Sequence, residues 1–158
     1  MPIKKLFDLL EGEGISYEII RHRADYTAQE TAADTHTPGR EFAKTVLLDL
    51  GDRGHAMAVV PATYRLDLEK IRRSLRTPRV ELASEDLMRD LCPDCEVGAV
   101  PPFGNLYDLP VFVDPTLASD EMITFNAGTH EEALRVRFAD YERVVHPVLV
   151  DMVDPAFA

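Results

Sequence analysis

The chain has 158 residues, of which 46% are hydrophobic and 28% are charged, and 28 acidic against 17 basic side chains give a net charge of −11. This balance is typical of one globular domain, and it disfavours both intrinsic disorder and the coating of nucleic acid by bulk electrostatics. The longest apolar runs fall far short of the roughly 20 residues that a membrane span needs. We therefore expect a single domain over residues 1–158 and a cytoplasmic protein that binds neither membrane nor DNA.

Hydrophobic periodicity predicts the first elements. Residues 3–11 place apolar side chains at helical spacing, which indicates an amphipathic helix, and residues 15–20 favour a strand. Residues 27–33 open with a capping box, a threonine followed three residues later by glutamate, and so predict a short helix. A loop is expected at residues 36–39.

The central segment predicts a hairpin followed by two helices. Residues 43–50 and 56–61 are β-prone runs, and the Gly-Asp-Arg-Gly sequence between them is typical of a hairpin turn. Residues 68–75 carry leucine and isoleucine at helical spacing. A third helix is predicted over residues 87–91, behind Ser84 as its N-terminal cap.

The C-terminal part adds short strands and a helix. Strands are predicted near residues 97–100, 110–114, 121–126 and 131–136, and a helix over residues 138–145. Most connections are too short for repeated right-handed crossovers between parallel strands. The order of elements therefore predicts an α+β fold, with a mixed, largely antiparallel sheet, curled or forming a partial barrel, surrounded by helices.

Lys44 is the first candidate for chemistry. Alternation along its strand puts Lys44 on the same face as Val46, Leu48 and Leu50, so a face expected to be buried begins with an ammonium group. A buried cation must be paired, hydrated or used. A lysine at a strand end also extends to water in many proteins, so this pattern alone leaves both interpretations open.

Two polar loops are further candidates. The run at residues 98–104 contains glycines that allow sharp turns and prolines that fix the backbone, so it can present N–H groups to a carbonyl or an oxyanion, or simply connect strands rigidly. The run at residues 126–130 gathers the donors and acceptors of Asn126, Thr129 and His130 at one strand end. His130 is a candidate general base or a solvated surface residue.

Basic side chains cluster locally, at residues 21–23 and on the predicted helix that carries Lys70, Arg72, Arg73 and Arg76. Charge runs on helices are usually solvated faces. They are also where phosphates would bind if an RNA end approached.

The two cysteines, Cys92 and Cys95, form a lone Cys-x-x-Cys. A zinc site needs two more ligands and a redox motif should open a helix, whereas Pro93 stands where a helix is expected to end. Two reduced thiols at a turn are the favoured interpretation, with a redox or zinc protein as a third hypothesis. No phosphate-binding or dinucleotide-binding glycine motif is present, so we expect neither a metal nor a cofactor.

Several segments in order resemble the YbaK/EbsC family, also called the prolyl-tRNA-synthetase-associated domain. These are the Ala-Lys-Thr run at residues 43–45, Val-Pro-Ala at 60–62, Gly-Ala-Val-Pro-Pro-Phe-Gly at 98–104 and Asn-Ala-Gly-Thr-His at 126–130. The resemblance spans about residues 15 to 147. It implies the fold of that family and hydrolysis of the ester that joins a wrong amino acid to tRNA.

The resemblance also implies roles for individual residues. Lys44 would anchor the terminal nucleotide of the substrate and support the transition state, while loop N–H groups would hold the aminoacyl carbonyl. The 2′-hydroxyl of the substrate's own ribose would help to activate water. The implied substrate-binding residues are Thr45, Gly98, Pro102, Gly104, Asn126, Gly128 and His130, and the implied tRNA contacts are Lys70, Arg72, Arg73 and Arg76.

The leading hypothesis is therefore a deacylase acting in trans on tRNA mischarged with a small amino acid such as alanine, serine, cysteine or threonine. Its expected partners are the acceptor end of that tRNA and, as a further candidate, an aminoacyl-tRNA synthetase. Thr45 disfavours alanine, because some alanine-specific relatives carry asparagine there. The alternative is a non-catalytic regulatory protein of the same fold that binds a nucleotide or aminoacyl ligand.

Overall fold

The computed structural model describes residues 3–22 and 41–154 of the chain. The helices of this part are α1 (Lys4–Gly12), α2 (Leu68–Leu75), α3 (Glu85–Leu91), α4 (Pro115–Ala118) and α5 (Phe138–Val145). Its strands are β1 (Tyr17–Arg21), β2 (Phe42–Asp49), β3 (His55–Pro61), β4 (Arg65–Leu66), β5 (Glu81–Leu82), β6 (Val111–Val113), β7 (Met122–Asn126), β8 (Glu132–Arg137), β9 (Val148–Leu149) and β10 (Val153–Asp154). Within these residues, no helix is long and apolar enough to cross a membrane.

One mixed sheet of eight strands organises the fold. Its order is β1-β8-β7-β2-β3-β6-β9, with β5 paired to β2, while β4 and β10 form a separate antiparallel pair. The contacts of β8 with β1 and β7 and of β2 with β3 and β5 are antiparallel. Those between β7 and β2, β3 and β6, and β6 and β9 are parallel. The predicted α+β class with a mixed, mainly antiparallel sheet is confirmed.

The sheet is buried on both faces, and β3 shows why its sequence is a continuous apolar run. Met57 and Val59 point into the larger core, which includes side chains of α1 and α5. Ala58 and Val60 point to the other face, where Ile71 of α2 packs. A strand covered on both sides needs apolar residues at every position rather than at alternate ones.

Side-chain caps fix where two helices begin. The Asp67 carboxylate accepts the backbone N–H groups of Glu69 and Lys70, at 3.1 and 3.2 Å, and starts α2. The Ser84 hydroxyl accepts the N–H of Leu87 at 3.1 Å and starts α3, as predicted. Each cap satisfies N–H groups that have no partner inside the helix.

Most predicted elements are confirmed with shifts of one or two residues at their ends. The predicted strand at residues 97–100 is wrong, because Gly98 has φ of 85°, which no strand allows, and the segment forms turns. The predicted helix at residues 27–33 and the loop at residues 36–39 lie outside the described residues.

Candidate active site

The glycine–proline loop (residues 96–104) is fastened to the strand-end turn (residues 126–130) by four hydrogen bonds. The backbone N–H of Glu96 donates to Gly128 O at 2.8 Å, and the N–H of Gly128 donates to Ala99 O at 2.9 Å. The Glu96 carboxylate accepts the backbone N–H of His130 at 3.1 Å, and His130 Nε2 lies 2.7 Å from Val97 O. The two polar loops found in the sequence therefore form one unit.

His130 is buried, which excludes the solvated surface residue considered from the sequence. A ring nitrogen at 2.7 Å from a carbonyl oxygen must carry the proton of that hydrogen bond, since the carbonyl can only accept. His130 therefore holds the glycine–proline loop in place. A role as general base would require that Nε2 give up this contact.

Gly98 occupies a position that only glycine fits well. Its φ of 85° is in the left-handed region, and an added Cβ would lie 3.4 Å from His130 Cε1. The N–H of Ala99 donates to Glu96 O at 3.0 Å, whereas in the described part of the chain no acceptor takes the N–H of Gly98 or of Val100. Two backbone donors on a rigid loop are thus available to a bound oxygen atom.

The second half of the loop is anchored in the core. The buried Tyr141 hydroxyl donates to Pro102 O at 2.7 Å, and burial raises the pKa of Tyr141, so the donor stays protonated. An added Cβ at Gly104 would lie 2.2 Å from Leu109 O. Packing thus explains the glycine at position 104, whereas any residue at position 102 would offer the same backbone oxygen to Tyr141. Contact of Pro102 and Gly104 with a ligand stays a prediction.

Close packing also explains the glycine at position 128. Its φ is 96°, and a Cβ there would lie 3.0 Å from Ile3 Cγ2, at the start of α1. The turn can approach α1 this closely only without a side chain. A direct contact between Gly128 and a ligand remains a prediction as well.

Lys44 lies half-buried near the N-terminal end of β2. Its Nζ donates to the backbone oxygen of Tyr64 at 3.0 Å, and burial lowers the pKa of its ammonium group. Neighbouring Val46 and Leu48 belong to the α2 side of the sheet, so Lys44 starts the face that the sequence assigned to it. Among described residues the ammonium meets no carboxylate, which leaves its charge available to an anion.

Strand register relates Asn126 to Lys44. In the parallel β2–β7 pair, Phe42 is opposite Thr124 and Ala43 is opposite Phe125, and the pairing ends there. Lys44 and Asn126 are the residues that follow this last pair, and alternation along each strand directs both side chains to the face of Phe42 and Thr124. The strand-end turn therefore starts just beyond the point where β7 leaves β2.

Two buried oxygen atoms in this region lack hydrogen-bond partners within residues 3–22 and 41–154. They are Asn126 Oδ1 and Thr45 Oγ1. Alternation along β2 directs Thr45 to the face opposite that of Lys44. Unpaired buried oxygens are uncommon in proteins and mark places where a ligand or a water molecule completes the bonding.

A cleft of about 430 Å³ opens beside the residue that binds Lys44. It is lined by Tyr64, Lys70, Asp114, Pro115, Thr116, Asp151 and Val153. Lys70 of α2 donates to Val153 O at 2.8 Å and lies 3.4 Å from the Asp151 carboxylate. This cleft connects the predicted basic helix to the surroundings of Lys44.

The basic side chains of α2 that are predicted to contact tRNA differ in whether they pair with acidic residues. Lys70 is held by Asp151 and by a backbone oxygen, and Arg72 pairs with Glu69. Arg73 and Arg76 are exposed and form no ion pair with any residue that the structure describes. The charge available to a phosphate on this helix is therefore mainly that of Arg73 and Arg76.

The cysteines have the environment of structural thiols. Burial raises the pKa of Cys92 to about 12 and that of Cys95 to about 11, and Cys95 Sγ lies 2.9 Å from the Tyr107 hydroxyl. Protonated thiols are poor nucleophiles and poor metal ligands. Among the described residues, no three His, Cys, Asp or Glu side chains are arranged to hold a metal ion.

The sequence analysis did not identify three residues that shape this site. Glu96 looks like one of many surface carboxylates, and its hydrogen bond to the backbone of His130 spans 34 positions of sequence. Tyr64 acts through its backbone oxygen, for which the identity of the side chain gives no signal. Tyr141 lies in the helix predicted over residues 138–145, and nothing in the helical spacing indicates that its hydroxyl anchors the loop.

Comparisons with known proteins agree with this geometry. The family described as "Aminoacyl-tRNA editing domain" matches residues 22–144. A protein of Escherichia coli strain K12 named multifunctional Ser/Thr-tRNA deacylase ProXp-y is 29% identical over 153 residues, which cover 94% of this chain and 90% of that protein.

Solved structures share the fold. A candidate trans-editing enzyme for prolyl-tRNA synthetase matches with a TM-score of 0.83 and 22% identity, over 96% of each chain. The hypothetical protein APE2540 matches with a TM-score of 0.84 and 22% identity, over 96% of this chain and 100% of its own.

Proposed function

Because the chain belongs to the family of aminoacyl-tRNA editing domains and is thus a hydrolase of the aminoacyl-tRNA ester, we propose that it acts in trans on tRNA mischarged with serine or threonine. The observation that carries this proposal is the hydrogen-bonded unit of glycine–proline loop and strand-end turn, together with the Lys44 ammonium, which meets no carboxylate among the described residues. The name of the relative from Escherichia coli supports these two amino acids over the other small ones.

The proposed reaction is attack of water on the ester carbonyl, with the ribose hydroxyl of the terminal adenosine as leaving group. Negative charge develops on the carbonyl oxygen in the transition state. The N–H groups of Gly98 and Val100 are suited to hold that oxygen, because they have no acceptor in the described part of the chain and the loop is already rigid.

Lys44 supplies the positive charge of the site. Its ammonium would bind the terminal nucleotide and stabilise the developing oxyanion at a half-buried position, where water screens charge weakly. Among the residues that the structure describes, no side chain of this site has the features of an activated nucleophile, and His130 Nε2 is engaged with Val97 O. The ribose 2′-hydroxyl of the substrate is therefore proposed to help activate water, so that catalysis depends mainly on positioning.

The tRNA would approach along α2. The cleft beside Tyr64 is large enough for part of the terminal nucleoside, and Lys70 of α2 lines it. Arg73 and Arg76 carry the charges that no acidic residue of the described part neutralises, so they are proposed to contact acceptor-stem phosphates. With an overall charge of −11, binding should be modest and sensitive to salt.

The test of this proposal is deacylation of one tRNA charged in turn with serine, threonine, alanine and cysteine. Hydrolysis of the seryl and threonyl esters above the enzyme-free rate supports the proposal. Hydrolysis restricted to the alanyl or cysteinyl ester would keep the reaction and overturn the proposed specificity. A synthetase partner is tested by adding prolyl-tRNA synthetase to the same reaction.

A further inference from the structure

Asn126 ends β7 with a polar atom that the fold does not satisfy. The residue is 7% exposed, and its Oδ1 has no hydrogen-bond partner among the described residues. A buried acceptor without a donor lowers stability, so such an atom is expected only where something else supplies the donor. The hydrophobic alternative, a leucine of similar volume, would pack here without that cost.

The position of Asn126 relates this acceptor to the proposed reaction. Asn126 and Lys44 each follow the last pair of the parallel β2–β7 contact, Ala43 opposite Phe125, and alternation directs both side chains to one face of the sheet. The next residues form the strand-end turn, which holds the glycine–proline loop through Gly128 and His130. Asn126 thus follows the strand pairing that precedes the proposed anion anchor and directly precedes the turn that holds the proposed carbonyl-binding loop.

We propose that Asn126 is a specificity-determining residue whose Oδ1 accepts the side-chain hydroxyl of a seryl or threonyl group. This inference rests on the proposed function. An amide oxygen can only accept, so it matches a hydroxyl donor and leaves a methyl group unmatched. A site that hydrogen-bonds a substrate hydroxyl rejects the analogue without it, because the buried protein group then stays unpaired. The alanyl ester is that analogue.

The experiment compares seryl and alanyl esters on one tRNA, using wild type, Asn126→Leu and Asn126→Asp. Leucine removes the acceptor at similar volume, whereas aspartate keeps an oxygen at the Oδ1 position. The measured quantity is the kcat/KM for the seryl ester divided by that for the alanyl ester. This ratio does not depend on the fraction of folded enzyme, since unfolding lowers both values equally.

We expect Asn126→Leu to lower the seryl-to-alanyl ratio by at least about tenfold, and Asn126→Asp to keep it within about threefold of wild type. Thr124→Val is the matched control. It removes a buried oxygen from the same strand and face, one that accepts a hydrogen bond from Arg135 Nε at 3.2 Å, and it should leave the ratio unchanged.

One result would overturn the inference while the proposed function stands. An unchanged ratio in Asn126→Leu, whether or not both rates fall together, would mean that the acceptor does not contact the substrate hydroxyl. If wild type hydrolyses neither ester, the proposed function itself fails, and this inference with it.

Discussion

His130 Nε2 lies 2.7 Å from the backbone oxygen of Val97, and this contact makes the glycine–proline loop and the strand-end turn a single rigid unit. The same ring lies next to Gly98, where a Cβ would approach it to 3.4 Å. A histidine that the sequence offered as a general base thus holds the loop in place in the structure, and we expect it to be a positioning residue. Its effect on catalysis should be transmitted through the loop.

The role of His130 is tested by comparing His130→Gln with His130→Ala. The glutamine amide can donate to Val97 O, so His130→Gln should keep at least about a third of wild-type kcat/KM. His130→Ala should lower kcat/KM by about tenfold or more and lower the free energy of unfolding by about 1–3 kcal/mol. Deacylation rates and urea unfolding measure both effects. Complete inactivity of His130→Gln in a folded protein would identify the ring as a general base.

Gly98→Ala should lower both stability and activity. A side chain at φ of 85° costs about 1–2 kcal/mol of the free energy of unfolding, and its methyl group would lie in contact with the His130 ring, at 3.4 Å from Cε1. Gly14→Ala is the control, because Gly14 has φ of 67° with nothing within 4 Å of an added Cβ. Both variants should lose similar stability in urea unfolding. If Gly14→Ala reduces deacylation as much as Gly98→Ala, the loop has no special role.

The pH dependence of the reaction should report Lys44. Activity needs its ammonium form, so kcat/KM should fall as pH rises through the pKa of Lys44. Burial lowers that pKa from 10.5, so the fall should begin at lower pH than for an exposed lysine. Arginine stays charged at these pH values, so in Lys44→Arg the decrease of kcat/KM should occur at higher pH than in wild type. This expectation holds even if the substitution lowers kcat/KM at every pH.

The profile requires subtraction of the enzyme-free hydrolysis of the ester, which itself accelerates with pH. A wild-type profile that matches that of Lys44→Arg would contradict the assignment of the alkaline limb to this residue.

Charge reversal on α2 should weaken tRNA binding selectively. Arg73→Glu combined with Arg76→Glu should raise KM for full-length tRNA and flatten its dependence on salt, with a smaller effect on a short acceptor-stem mimic. Reversal of Arg89 and Arg143, which are ion-paired on α3 and α5, changes the net charge equally and serves as control. Equal effects of the two double variants on KM would show that only net charge matters.

The sequence predicted the layout of the sheet better than the structure of the site. The hairpin of β2 and β3 and helices such as α5 follow from alternation and from helical spacing, which are local properties. The error at residues 97–100 has a physical origin. That segment is hydrogen-bonded to a turn 29 or more residues later, for example by the N–H of Gly128 to Ala99 O. The residue pattern within the segment does not indicate this distant contact.

The site was predictable by residue type and not by role. Lys44 stood out because a cation interrupts an apolar face, and the structure places it there. The contribution of His130 depends on which atom meets Val97 O, and that of Gly104 on a backbone oxygen 2.2 Å from its missing Cβ. Such contacts join distant parts of the chain, so they are defined by the folded structure and not by the local sequence pattern.

The most direct test of the account is the rate of seryl-tRNA deacylation by wild type, Lys44→Met and Lys4→Met under single-turnover conditions. Lys4 is an exposed lysine paired with Asp8 at 2.8 Å and controls for the loss of one charge. We expect Lys44→Met to lower the deacylation rate by at least about 100-fold, which is the effect of removing a group that stabilises an oxyanion. Lys4→Met should keep a rate within about twofold of that of wild type. Equal rates for wild type and Lys44→Met would contradict the account, and tRNA binding without any hydrolysis would favour the regulatory alternative.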